Sequence, residues 1–253
     1  MTGRDQAERE RWIRRFHPAP GATRLLCLPH AGGSSSFFFP LATAVAGKLN
    51  VQAVQYPGRQ DRRSEPPLTS IDALADALFH VLDPDDDSPL AIFGHSMGAV
   101  VGFELARRLS AAGRPPTALF ASGRGSPLLS SGGTVHTLGD AGLLAELRRL
   151  NGAELAPLED QEILQMIIPA LRADFRAVET YRPAAAPPLT CPVIAMVGDA
   201  DPRVTVAQAD AWSETTDGRF ELLVHPGGHF YLAARKEAVV AQILERLRAE
   251  ALA

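Results

Sequence analysis

The pentapeptide Gly94-His95-Ser96-Met97-Gly98 fits the pattern G-x-S-x-G, and its serine is the residue in this sequence best placed to act as a nucleophile. It lies between an apolar run, LAIF, and a segment of helical period that begins AVVGFELARRL. A serine at a sharp strand-to-helix turn presents its hydroxyl outward, and glycines two positions to either side relieve crowding against the neighbouring elements. The helix that follows aims its amino terminus at the site, where developing negative charge is stabilised. A serine hydroxyl is a poor nucleophile near neutral pH, so a histidine must take its proton and a carboxylate must orient that histidine. Where this turn is used, the chain order is serine, acid, histidine.

The acid falls in Gly198-Asp199-Ala200-Asp201-Pro202, directly after the apolar run CPVIAMV. Asp199 and Asp201 compete. Asp201 lies further past the strand end, before the next helix, and is preferred; Asp199 is left an Asx turn or a cap. The base is His229, in Pro226-Gly227-Gly228-His229-Phe230, after the strand FELLV and before the last helix. His17, His80, His136 and His225 read as structural or exposed. His95, inside the turn, cannot readily fold back onto its neighbour's hydroxyl and has at most a supporting role. An oxyanion needs two backbone N–H donors. Met97, next to the nucleophile, supplies one, and Ala31 in Pro29-His30-Ala31-Gly32-Gly33 supplies the other from a small-residue loop after an early strand.

Positioning these groups requires a sheet. Strand-length apolar runs at 24–28, 51–55, 90–93, 118–121, 193–197 and 220–224 alternate with helical patterns at 38–49, 71–82, 97–111, 204–212 and 232–247. This alternation predicts an α/β fold, a mostly parallel sheet covered by helices on both faces. No strand pattern appears from 123 to 191, an interval far longer than an ordinary connection. Leu143, Leu147 and Leu150 share one helical face and Leu164, Ile167, Leu171 and Val178 another, so an inserted helical lid is expected over about 125–188, with a kink at Pro169.

A length of 253 residues suits one domain, with residues 1–20 as a polar tail. A net charge of -4 gives no electrostatic footprint for nucleic acid. Cys27 and Cys191 sit in apolar runs and lack metal spacing, so both read as buried core residues. The charged amino terminus has no signal-peptide core and no apolar run reaches membrane-spanning length, which predicts a cytoplasmic protein without a membrane partner. No P-loop, dinucleotide fingerprint or metal pair is present, so no cofactor is expected.

The motifs CLPHAGGSSSFFFPLA, VQYPGRQDRR, FGHSMGAVVGFELARRL, SGRGSP, ELRRLNG, IIPALRADFRAVETYR, GDADP and PGGHFYL occur in order along nearly the whole chain after residue 20. Together they resemble the type II, or editing, thioesterases of polyketide synthase and nonribosomal peptide synthetase pathways, which have the α/β-hydrolase fold. The resemblance implies Ser96, Asp201 and His229 as the catalytic triad and the insertion as a lid. It implies hydrolysis of aberrant or stalled acyl groups from the phosphopantetheine arm of acyl or peptidyl carrier proteins. Because carrier proteins are usually acidic, Arg59, Arg62, Arg63, Arg148 and Arg149 are docking candidates, against solvated arginines on exposed faces. Two alternatives stand beside this reading: a general carboxylesterase or lipase with the same triad, and a non-catalytic scaffold that binds an acyl carrier.

Overall fold

Every apolar run singled out above becomes a strand. The computed structural model describes residues 3–82, 86, 88–129, 132–151 and 161–250. Its strands are β1 (Ile13–Arg14), β2 (Arg24–Leu28), β3 (Asn50–Val54), β4 (Leu90–His95), β5 (Ala118–Ser122), β6 (Val193–Gly198) and β7 (Phe220–His225). They form one sheet in the order β1-β3-β2-β4-β5-β6-β7, parallel except where β1 meets β3. Side chains alternate between its faces. Leu26, Leu28, Ile92, Leu119 and Ala195 enter one core, and Leu25, Cys27, Phe93, Phe120 and Met196 enter the other. Both faces are covered, so these strands carry almost no polar positions. Cys27 and Cys191 are buried and unbridged, as expected.

The helices are α1 (Gly3–Trp12), α2 (Phe39–Ala44), α3 (Ile71–Val81), α4 (Met97–Ala111), α5 (Asp140–Asn151), α6 (Gln161–Thr180), α7 (Val206–Asp210), α8 (Tyr231–Ala234) and α9 (Lys236–Glu250). Several differ from their predicted extents. The pattern at 38–49 divides into a 3-10 turn, Ser35–Phe38, and the short α2. The pattern at 204–212 divides into α7 and a second 3-10 turn, and that at 232–247 divides into α8 and α9 at Arg235. Periodicity sees the buried face that such pieces share and not the breaks in their hydrogen bonding.

The segment expected as a polar tail is built into the fold over its described residues. The described part forms α1 and then β1, which pairs antiparallel with β3 through Ile13 opposite Val54. Trp12 and Ile13 are each only 4% exposed. These two apolar residues anchor a segment whose charges hid its helix, and the Gln55 amide donates to the Trp12 carbonyl at 2.8 Å.

Between β5 and β6 lie α5 and α6, where the insertion is expected; its residues 130–131 and 152–160 fall outside the described set, as does the side chain of Leu164. Helix α6 runs continuously through Pro169. Leu143, Leu147 and Leu150 of α5 pack with Leu171 and Phe175 of α6 in a small core of their own, which also takes in Ala31 and Phe230. That contact seats the insertion on the carboxyl ends of the strands.

Candidate active site

Strand β2 hands its chain to β3 on one side, whereas β4 hands its chain to β5 on the other. Crevices of open parallel sheets form at the carboxyl ends of such diverging neighbours. The loop after β2 and the turn after β4 meet at this one.

Ser96 sits between β4 and α4 at φ 55° and ψ -114°, one of two non-glycine residues among those described with positive φ. Such strain persists only where its surroundings enforce it. A methyl group on Gly98 would strike the Leu28 carbonyl, and one on Gly94 would strike the carbonyl of Gly98. Glycine at both positions lets the turn close and lays the start of α4 against the end of β2.

Ser96 Oγ lies 3.0 Å from His229 Nε2, and His229 Nδ1 lies 2.8 Å from Asp201 Oδ2. A carboxylate only accepts, so Nδ1 carries the ring proton and Nε2 faces the hydroxyl as an acceptor. His229 and the Asp201 side chain are sealed from solvent, with exposures of 1% and 0%. Asp201 Oδ1 accepts the amides of Arg203 at 2.8 Å and Val204 at 3.3 Å. Asp199, the rival acid, instead accepts the Gly227 amide at 2.9 Å and ties the acid loop to the histidine loop. Gly198 allows those loops to approach, since a side chain there would meet the carbonyls of Gly227 and Gly228.

Along the loop after β2, the Gly33 amide donates to the His30 carbonyl at 2.9 Å and the Gly32 amide to Asp174 Oδ2 at 2.7 Å. Of the amides from Ala31 to Gly33, that of Ala31 is the uncommitted one. The Met97 amide opens α4, where no intrahelical acceptor exists.

Imidazoles and aromatic rings surround His229. His95 is fully buried, with Nδ1 2.9 Å from Ser122 Oγ, which in turn lies 2.7 Å from the Tyr231 hydroxyl. His30 packs edge-on against Phe37 and Phe230, with ring centroids 4.6 and 4.8 Å apart. Burial is the main cause that pushes His30 down to about 3, and it holds His95 well below the ordinary imidazole range. Both rings are neutral near pH 7.

The insertion is tied to the acid loop. Arg203, two residues after Asp201, lies 3.5 Å from Glu146 of α5 and 3.7 Å from Glu179 of α6, with its guanidinium over the Phe175 ring. Arg149 donates to the Pro202 carbonyl at 3.2 Å and pairs with Glu146. A cavity of about 510 Å³ lies between α6 and the loops after β2 and β3, lined by Gly32, Ser34, Arg59, Arg63, Met166 and Ile167 among others.

Two docking candidates are misplaced. Arg59 and Arg62 are only 6% and 4% exposed. Arg59 pairs with the buried Asp174, and Arg62 lies over the Trp12 ring while pairing with Glu65. Asp174 for Arg59 and the Trp12 ring for Arg62, both distant in sequence, draw the two inward, which charge alone does not reveal. Arg63, Arg148 and Arg149 are exposed, and the first two have no ion-pair partner among the described residues. Sequence reasoning missed the roles of Asp174, Arg203 and Ser122, because no local pattern marks a side chain whose partners lie tens of residues away.

No helix among the described residues is long and apolar enough to cross a membrane. The thioesterase domain family model matches residues 23–249. The chain is 46% identical over 238 residues to the probable cadicidin biosynthesis thioesterase of Streptomyces griseus, covering 94% of this chain and 66% of that relative. It is 46% identical over 239 residues to thioesterase PikA5 of Streptomyces venezuelae, covering 93% and 85%. Among solved structures, the type II thioesterase BorB of the borrelidin cluster superposes with a TM-score of 0.89 at 52% identity, covering 93% of this chain and 97% of that one. The chain therefore belongs to the thioesterase family as an α/β-fold hydrolase, and the solved structures it resembles across its length include type II thioesterases of polyketide and nonribosomal peptide biosynthesis.

Proposed function

We propose that this enzyme hydrolyses acyl groups from the phosphopantetheine arm of acyl or peptidyl carrier proteins, clearing aberrant or stalled units from a cytoplasmic megasynthase. The carrying observation is the unbroken chain of hydrogen bonds from Ser96 through His229 to Asp201, set where an inserted pair of helices packs against Ala31 and Phe230.

In this mechanism His229 Nε2 takes the Ser96 proton as Oγ attacks the thioester carbonyl, while Asp201 holds the proton on Nδ1 and stabilises the imidazolium. The amides of Met97 and Ala31 receive the oxyanion. Collapse breaks the C–S bond, and His229 returns its proton to the departing thiol. A thiol of pKa about 8.5 leaves readily, so general acid assistance is less demanding than in an amidase. Water, deprotonated by the same imidazole, then attacks the acyl-serine, and Ser96 recovers its proton as the carboxylic acid departs. No cofactor enters any of these steps.

Helices α5 and α6 serve as the lid. The cavity beneath α6 is of ligand size, and its apolar Met166 and Ile167 suit an acyl chain. Arg63 at its edge and Arg148 on α5, with no ion-pair partner among the described residues, offer positive charge to an acidic carrier.

Release of short acyl groups from a loaded carrier protein tests the reading. Wild-type turnover that disappears in Ser96→Ala and exceeds turnover of the matching oxygen ester is expected. Ester hydrolysis with the carrier left loaded would overturn it in favour of a general carboxylesterase.

A further inference from the structure

The arginine expected on the surface and an aspartate to which sequence reasoning gave no role meet inside the protein, and they meet on the loop that faces the nucleophile. Asp174, on α6, is completely buried, and the Arg59 side chain is 5% exposed. Asp174 Oδ2 receives both the Arg59 guanidinium and the Gly32 amide. Arg59 Nε donates to the Gly33 carbonyl at 3.0 Å and Nη1 to the Pro57 carbonyl at 2.6 Å. Between them, the two side chains grip consecutive residues of the loop after β2.

Stability is a poor explanation for this pair. A buried ion pair regains little more than the solvation it loses, and apolar replacements of similar size often stabilise. Burial even pushes the Asp174 carboxyl up, against the opposing pull of Arg59 and of the Gly32 amide. Position is the better explanation. Residues 30–33 form a turn closed by the bond from the Gly33 amide to the His30 carbonyl, with Gly32 at φ +74°. Positive φ at the third residue alone marks a type II turn, whose central peptide is flipped relative to type I. That central peptide carries the Gly32 N–H, the group that Asp174 holds. The peptide before it carries both the His30 carbonyl and the Ala31 N–H, which lie in one plane and point in opposite directions. Fixing the central peptide and the His30 carbonyl therefore fixes the direction of the Ala31 amide. Leu171 of α6 completes the grip, occupying the space a side chain on Gly32 would need.

We infer that Asp174 and Arg59 are positioning residues that lock the turn at residues 30–33 and so aim the Ala31 amide at the oxyanion, making the oxyanion hole depend on the seating of the inserted helix α6. This rests on the assignment of Ala31 as an oxyanion donor in the proposed mechanism. Asp174 is sealed from the cavity beneath α6 and Arg59 only borders it; both act on the Ala31 amide through the backbone.

The test uses a small acyl thioester and an alkylboronic acid that forms a tetrahedral adduct on Ser96, so carrier recognition plays no part. Asp174→Leu combined with Arg59→Met removes the clamp without leaving a buried charge. Its kcat is expected to fall about 10²-fold, the scale for loss of one oxyanion donor, with KM little changed and boronate affinity weakened in parallel. Asp174→Asn with Arg59→Met restores an acceptor for the Gly32 amide and is expected to recover part of the loss, the remainder reflecting the missing hold of Arg59 on the Gly33 carbonyl. Wild-type kcat and boronate affinity in a folded Leu/Met variant would overturn the inference. Should that variant not fold, the Asn/Met variant decides against Arg59→Met with Asp174→Ala, which lacks the acceptor; equal kcat in the two would overturn it. Amide NMR of the wild-type enzyme separates the underlying assignment: an Ala31 resonance unmoved by boronate removes Ala31 from the hole, whereas a shift present in wild type and lost in Leu/Met supports the clamp.

Discussion

Asp201 and His229 are joined by a 2.8 Å hydrogen bond through one carboxylate oxygen, while the other oxygen of Asp201 is held by the Arg203 amide at the same distance. Asp201 is thus fixed from its own loop where it meets His229. Asp199 uses its carboxylate on the Gly227 amide, so it braces the loop that delivers the histidine. Two acids two residues apart have separate tasks.

Asp201→Asn keeps the volume and can still accept from Arg203, but an amide at this place favours the wrong imidazole tautomer. We expect kcat on a small acyl thioester to drop by about 10⁴ with the fold intact, as in other triads so altered. Asp199→Asn retains an acceptor for Gly227 and should stay within about 10-fold of wild type. The reverse ranking in steady-state kinetics would exchange the two roles.

The nucleophile turn makes a second demand that can be isolated. Gly98→Ala drives a methyl group into the Leu28 carbonyl, a backbone atom with nowhere to move, and should separate α4 from the loop after β2. A loss of at least about 10² in kcat is expected, because a shift of about 1 Å in catalytic geometry costs that much. Gly113 makes the contrasting case, with φ +74° but open space around it. Gly113→Ala should cost about 1 kcal/mol in denaturant unfolding and leave kcat unchanged. Equal kinetic losses in both would mean that close approach at Gly98 is not what matters.

Residues within a few positions of one another were legible in the sequence, and those that meet from afar were not. Ser96, His229 and Asp201 each follow a strand, and apolar runs mark buried strands because both faces of this sheet are covered. The same logic located the insertion through Leu143, Leu147 and Leu150. It failed for β1, where two residues pair with β3 inside a charged segment, too short to show alternation. It failed also for Arg59 and Asp174, which lie 115 positions apart, because a charged residue looks the same in sequence whether water or a buried partner satisfies it.

Arg203 offers a handle on the insertion. Its contacts with Glu146 and Glu179 are long, at 3.5 and 3.7 Å, so each is weak, and the Phe175 ring supplies part of the hold. Arg203→Met should lower global stability by only about 1 kcal/mol while accelerating limited proteolysis within the insertion several-fold. Unaltered cleavage would show that the leucine cluster alone keeps α5 and α6 in place.

Acidification should unfold this protein partly through His30 and His95. Burial depresses both imidazoles, His30 to about 3. A base whose folded pKa lies below its unfolded value of about 6.5 is neutral in the native state and charged in the unfolded one as pH falls. The contribution it makes to stability is therefore present above pH 6.5 and is lost progressively as pH drops from there toward 3. Each such histidine steepens the stability profile by up to about 1.4 kcal/mol per pH unit. His30→Phe retains a ring against Phe37 and Phe230 and removes one titrating group. Chemical denaturation of the two proteins between pH 7.5 and 4.5 should give a shallower decline for the variant, with the curves converging or crossing at the acidic end. Parallel profiles across that range would mean that His30 is protonated in the native protein and that its ring is not sealed from water.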